Sequence, residues 1–143
     1  MRSAGLSEAI RAMQNGAPPH DQLAALVRTF DVAPNDEVRF ALIEMEPVLT
    51  KDERLNALVG AIAEYLAKRY KLGRVPAWVS GSARYLDRPW HTSSMFIDWE
   101  RELLTDGMRE YLTFASPAEF ASRNIFTDEA SLRRARGPRP AES

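Results

Sequence analysis

The 143-residue chain contains no cysteine and only two histidines, His20 and His91. The missing thiols exclude a disulfide framework, a thiolate metal site and a cysteine nucleophile, and they suit a reducing compartment. Two histidines far apart in sequence, with no H-E-x-x-H pair and no calcium-loop pattern, exclude the common metal sites. No apolar run approaches the roughly 18 residues of a membrane span, and MRSAGLSEAI lacks the apolar centre of a signal peptide. A cytoplasmic location is expected, with no membrane partner. Glycines are few, at seven. The phosphate-cradling loops that need several of them in register are reduced to Val79-Ser80-Gly81-Ser82-Ala83-Arg84, with one glycine and one arginine. No cofactor is expected.

Net charge is also nearly absent, at −1, but its layout is not uniform. Residues 31–64 carry eight acidic and three basic side chains. Residues 68–91 carry six basic side chains against Asp87 alone, residues 98–119 return to −4, and residues 133–139 hold four arginines. Such blocks either neutralise one another in the fold or leave a basic stripe for an acidic partner.

With 45% hydrophobic residues the chain has the material for one globular core. Its periodicity is helical. Residues 7–15 form a first short helix closed by Gly16 and Pro18-Pro19. Leu23, Leu26, Val27 and Phe30 mark a second, beginning near His20-Asp21. Pro34 suits the first turn of a third, which carries Val38, Ala41, Leu42 and Met45 and is limited by Pro47. The clearest element spans about 50–71. Thr50 and Glu53 make a T-x-x-E capping box, and Leu55, Leu58, Val59, Ile62, Leu66 and Tyr70 form one apolar stripe. Gly73 supplies a left-handed stop.

Regularity then fails at Pro76, Gly81 and Pro89. Periodicity resumes near Met95, Phe96, Trp99, Leu103 and Leu104, a helix that Gly107 ends or kinks. Residues 108–114 fit a helix or a strand. Ser116-Pro117-Ala118-Glu119 reads as a helix start, Asn124 to Thr127 as an extended stretch, and Asp128 or Thr127 as the cap of a last helix through Leu132. The expected fold is mostly α. A compact bundle of short helices surrounds the long central helix, with an irregular Trp/Pro-rich segment and at most a minor β element. Residues 1–135 form one domain, in which 1–47 supply N-terminal helices and 50–135 the motif-bearing part. Residues 136–143 form an Arg/Pro tail.

The stretch VPAWVSGSARYLDRPWHTSSMFIDW, residues 75–99, concentrates the chemistry-bearing side chains. Ser93, Ser94, His91 and Asp98 suggest a catalytic triad, but no nucleophile elbow accompanies them. A capped polar turn is the simpler account, so no catalytic residue is expected. Residues 23–42 have the outline of a helix-turn-helix. Asp36, Glu37, Glu44 and Glu46 against Arg39 would repel phosphates from its second helix. What remains is an aromatic and basic set: Arg74, Trp78, Arg84, Tyr85, Arg88 and Trp90, joined by Arg133, Arg134 and Arg136 of the tail. Tryptophans of this kind pin irregular loops to a core, yet Trp, Tyr and Arg are also the residues of interface hot spots.

Residues 55–132 also carry an ordered string of motifs. Glu64, Leu66 and Ala67 end a helix, and Pro76 and Trp78 follow as P-x-W. Leu86 and Trp90 then make L-x-x-x-W, and Pro117, Phe120, Arg123, Ile125 and Phe126 make P-x-x-F-x-x-R-x-I-F. This string resembles a group of small, largely uncharacterised bacterial proteins. The turn Ser122-Arg123-Asn124 departs from the more basic, glycine-containing turn of that group, so no role is carried over for it. The resemblance implies membership of toxin–antitoxin-like or regulatory gene pairs and supplies no catalytic residues. The expectation is a non-catalytic partner-binding protein, the neutralising, antitoxin-like member of such a pair. Its protein partner would be the product of a neighbouring gene. The alternatives are a DNA-binding transcriptional regulator, with nucleic acid as partner, and a small enzyme using His91.

Overall fold

The computed structural model describes residues 5–92 and 103–128. The expected helix through Met95 to Leu104 falls mostly outside these residues. So do the last helix through Leu132, the tail, and Ser93, Ser94, Asp98 and Trp99.

The described chain is mostly α. In order come α1 (Leu6–Gln14), α2 (Pro19–Asp31), α3 (Asp36–Glu44) and α4 (Glu53–Arg69). Two short 3₁₀ turns follow (Ala77–Ser80 and Ser82–Arg84), then β1 (Trp90–Thr92), α5 (Asp106–Ala115), α6 (Ala118–Ala121) and β2 (Ile125–Thr127). The two strands pair in parallel, Trp90 opposite Ile125 and Thr92 opposite Thr127.

The central helix is α4. Leu55, Leu58, Val59, Ile62 and Leu66 are at most 5% exposed. Between them Ala57, Gly60, Ala61, Ala63 and Ala67 are buried too, so the helix is covered on several sides instead of along one stripe. Its start differs from the expected capping box. Asp52 is the N-cap, its Oδ1 accepting from the amides of Arg54 and Leu55 at 3.0 and 3.3 Å. Thr50 instead donates its hydroxyl to Asn56 Oδ1 at 2.9 Å, while Asn56 Nδ2 returns a bond to the Thr50 carbonyl at 3.0 Å. The stop also sits earlier than Gly73. Lys71 takes the left-handed conformation (φ 54°), and the Leu72 amide reaches back to the Ala67 carbonyl at 3.0 Å.

α1, α2 and α3 pack against one another and share one apolar core with α4, and Phe30 stands edge-on to Tyr70 just past the end of α4 at 4.9 Å. Pro34 lies outside α3, whose cap is Asn35, its Oδ1 accepting from the Val38 amide at 2.9 Å. The 3₁₀ turns and α6 lie directly against α4. α5 lies farther out, packed chiefly against β1 and β2. Gly107 neither ends nor kinks a helix: it sits in the first turn of α5, which Thr105 caps through the Met108 amide at 3.1 Å. Ser116 does not cap α6. Its hydroxyl donates to the Leu112 carbonyl at 2.5 Å and accepts from the Thr127 amide at 2.8 Å, tying the end of α5 to β2. Among the described residues no helix is long and apolar enough to cross a membrane.

Candidate functional site

The structure divides the expected aromatic and basic set into a buried group and an exposed one. Arg84 is 1% exposed. Its guanidinium donates to the Pro47 carbonyl at 2.7 Å and the Asn56 carbonyl at 3.4 Å, pairs with Glu46 at 3.2 Å, and lies over the Trp78 ring at 4.9 Å. Trp90 is 3% exposed, held in the ladder by its amide on the Asn124 carbonyl at 2.8 Å and covered by Arg54 at 5.2 Å. Neither side chain can be part of a contact face, which corrects their place in the expected site. Trp78 is half-buried, and its indole donates to the Ile43 carbonyl at 3.0 Å.

Arg74, Tyr85 and Arg88 remain exposed, although Arg74 stacks on Phe40 at 3.8 Å. Tyr85, 38% exposed, faces inward to Arg123, whose guanidinium is 4.6 Å from its ring. Arg133, Arg134 and Arg136 lie outside the described residues. The six side chains that can be placed therefore do not form one surface. Of the basic block only Arg84 is drawn into the core, where it pairs with Glu46; Lys68 reaches Glu64 at 2.8 Å but stays exposed, as do Arg69, Lys71, Arg74 and Arg88.

The residue that organises this region is Arg123, fully buried. It donates to Glu64 at 2.6 Å, to the Glu119 carbonyl at 2.7 Å and to the Val79 carbonyl at 2.7 Å. It thus joins α4, α6 and the first 3₁₀ turn. Burial alone would raise the Glu64 carboxyl, but bonds from Lys68 and Arg123 and their charges outweigh it and hold it below its ordinary range. The same contact raises the Lys68 ammonium. Arg84 and Arg123 flank Gly60, where an added Cβ would stand 3.0 Å from Arg84 Cβ and 3.4 Å from Arg123 Nε. Glycine is favoured there by close approach, not by backbone angle.

His91 does not gather a triad among the described residues. Its Nε2 meets Thr113 Oγ1 at 3.0 Å, and its ring stacks on Phe126 at 5.0 Å. Because the Thr113 hydroxyl donates to the Arg109 carbonyl at 2.8 Å, it accepts from His91, which places the proton on Nε2. Burial, and then the charge of Arg109, lower the His91 pKa. The contact is a latch between β1 and α5. Among the described residues no three His, Cys, Asp or Glu side chains stand close enough to hold a metal ion. The one cation of α3, Arg39, folds back to cap the end of α2, donating to the carbonyls of Phe30 and Asp31 at 3.0 Å each.

The exposed apolar surface lies elsewhere, on α5. Phe114 is 83% exposed, Tyr111 57% and Met108 41%, and Leu103 just before the helix is 93% exposed. Only Leu112 of this helix is buried. Gly107, Glu110, Tyr111, Phe114 and Ala115 line a shallow trough along its outer side. Their spacing of three, four, seven and eight residues is one face of a helix. The Tyr111 hydroxyl donates to Asp128 Oδ2 at 2.7 Å, which fixes one wall. Sequence reasoning passed over this face because residues 108–114 fitted a strand as well as a helix. Thr105, three residues before Met108, was the available sign of a helix start.

No protein-family model matches the chain, and neither does any curated protein or solved structure. The motif string rests on its own residues, and in this fold those residues join elements together. Arg123 binds Glu64, its carbonyl accepts from the Leu86 amide at 3.2 Å, and Phe120 and Ile125 are fully buried.

Proposed function

We propose that this protein is a non-catalytic partner-binding protein whose contact surface is the outer face of α5, acting as the antitoxin-like member of a bacterial toxin–antitoxin-type pair. The observation that carries the reading is Phe114, an aromatic ring 83% exposed in the last turn of α5 with Tyr111 one turn before it on the same face. A single exposed apolar side chain needs no explanation, but contiguous aromatic ones on one helix face mark contact sites. The pairing with a toxin is what the motif resemblance adds.

The test is co-expression with the products of the two flanking genes, followed by size-exclusion chromatography and a growth assay. The wild-type chain forms a complex with one product and relieves its growth inhibition, whereas Phe114→Asp does neither. If no flanking product binds, the paired function is wrong. If Phe114→Asp binds as well as wild type, the face is wrong.

A further inference from the structure

Resting on the reading of α5 as the contact surface, we infer that its occupant is an amphipathic helix of a partner protein, apolar along one stripe and flanked by lysine or arginine. Three features of the trough select this chemistry. The first is backbone. A helix interior has its amides and carbonyls already paired, so α5 offers nothing to an added β-strand, and the partner must bind through side chains. The second is shape. Tyr111 and Phe114 stand between Gly107 and Ala115, and a Cβ built on Gly107 meets nothing within 4 Å. Small residues at both ends of a trough that runs along a helix let the ridge of a second helix approach closely.

The third is charge. Glu110 lines the trough itself, and Asp106 at its start is fully exposed, its contact to Arg109 a loose 3.6 Å. The described part of this block, residues 103–119, carries Asp106, Glu110 and Glu119 against Arg109 alone. A cationic flank is complementary to this face, whereas an anionic lipid surface is opposed by it.

Charge also decides against a second copy of the chain. Antiparallel pairing about Tyr111 would match Gly107 with Ala115 and Met108 with Phe114, so a twofold dimer is sterically reasonable. The same twofold axis brings both Glu110 carboxylates to one side of the seam, like facing like, and doubles the negative field. A basic partner removes that repulsion.

The test uses the full chain and labelled synthetic helical peptides of about 16 residues, long enough for four turns. One carries leucines at helical spacing with lysine flanks, a second has glutamate flanks, and a third has the lysine composition with the leucines scrambled. Fluorescence anisotropy is expected to give binding by the lysine-flanked peptide about tenfold or more tighter than by the other two. Phe114→Asp weakens it at least about tenfold, and Glu110→Lys reverses the preference between lysine and glutamate flanks. Both positions are exposed, and circular dichroism checks that each variant keeps its fold. Equal binding of the two flanked peptides, or an unchanged preference in Glu110→Lys, overturns the inference while leaving α5 as a contact face if Phe114→Asp still loses binding. No effect of Phe114→Asp on any peptide overturns both. A dimer mass by light scattering that Phe114→Asp reduces to monomer identifies the occupant as a second copy and overturns the basic partner.

Discussion

α4 and α5 are both helices with apolar faces, and they stand at opposite ends of the same scale. Twelve of the 17 residues of α4 are buried, against Leu112 alone among the ten of α5. α4 lies against the 3₁₀ turns and α6 and shares its apolar core with α1, α2 and α3, with two buried arginines wedged at Gly60. α5 is held to a two-stranded ladder by Leu112 and by polar latches: His91 to Thr113, Tyr111 to Asp128, and the Thr127 amide to Ser116. Where packing is dense, a side chain's value lies in the fold. Where a helix is pinned at a few points, its remaining apolar surface is free to bind.

The largest expected effect tests the dense half. Arg123→Ala removes the cation that joins α4, α6 and the first 3₁₀ turn, leaving Glu64 with the exposed Lys68 alone and taking the guanidinium donor from the Val79 carbonyl. Breaking a buried pair from one side costs about 3–5 kcal/mol. Urea denaturation should show a loss of that size with the unfolding slope unchanged. A loss below about 1 kcal/mol, the range of surface pairs, would mean the arginine is not organising this half of the fold.

Gly60→Ala asks for a sign. In an exposed helix interior alanine is favoured over glycine by about 1 kcal/mol. Here the new methyl would stand 3.0 Å from Arg84 Cβ, an atom next to the backbone that cannot swing aside. The variant is expected to lose about 1–3 kcal/mol, the cost of overpacking. A rise in melting temperature would show that the wedge at Gly60 is looser than the contact distances imply.

The latch of α5 should respond to pH. The folded state holds His91 below its ordinary value of 6.5, so it favours the neutral ring. That contribution is complete above pH 6.5 and is lost as pH falls through the lower folded value. Asp106, Arg109 and Glu110 are the charges of α5, and Asp128 directly follows β2. Arg109 is the one that lowers His91, so protonation adds repulsion at the seam. Glu64 acts in a separate window. Its lowered pKa gives stability above 4.5 that disappears in stronger acid. Amide exchange in α5, corrected for its intrinsic pH dependence, should accelerate as the pH falls below 6.5, before α4 is affected. His91→Gln should flatten that change. Equal pH response of α4 and α5 would end the distinction between a packed helix and a latched one.

How far the fold was legible follows the same division. α4 was readable because its stripe of Leu55, Leu58, Val59, Ile62 and Leu66 repeats at helical spacing, a signal set by burial itself. Its ends were misplaced, since Asp52 and Lys71 took roles that Thr50 and Gly73 fit equally well by local chemistry. Arg84 and Trp90 look like interface residues because composition does not distinguish arginine and tryptophan at a surface from the same residue types in a core. The deciding groups, Glu46 and the carbonyls of Pro47 and Asn56, are 28 to 38 residues away. The parallel pairing of β1 with β2 was invisible for the same reason: three residues with no period long enough to read, joined across more than thirty positions. The face of α5 was missed because Tyr111 and Phe114 are apolar, and only the packed structure tells which apolar residues are left uncovered.

The smallest expected effect on stability is at Phe114, and there the comparison is sharpest. Phe→Ala in a core costs about 3–5 kcal/mol. Phe114 has 83% of its surface in water already, so Phe114→Ser removes little buried area and leaves no cavity. Its unfolding free energy should stay within about 0.5 kcal/mol of wild type, as for other surface substitutions. The same variant should lose at least about 2 kcal/mol of partner binding, the mark of a hot-spot aromatic. Phe120→Ser, six residues on and fully buried, should do the reverse, unfolding the chain before any binding can be measured. Two phenylalanines so close in sequence and so different in consequence separate a residue that builds the fold from one the fold displays. If Phe114→Ser destabilised the chain as much as a core substitution, α5 would belong with α4, and the uncovered face would have to be sought elsewhere.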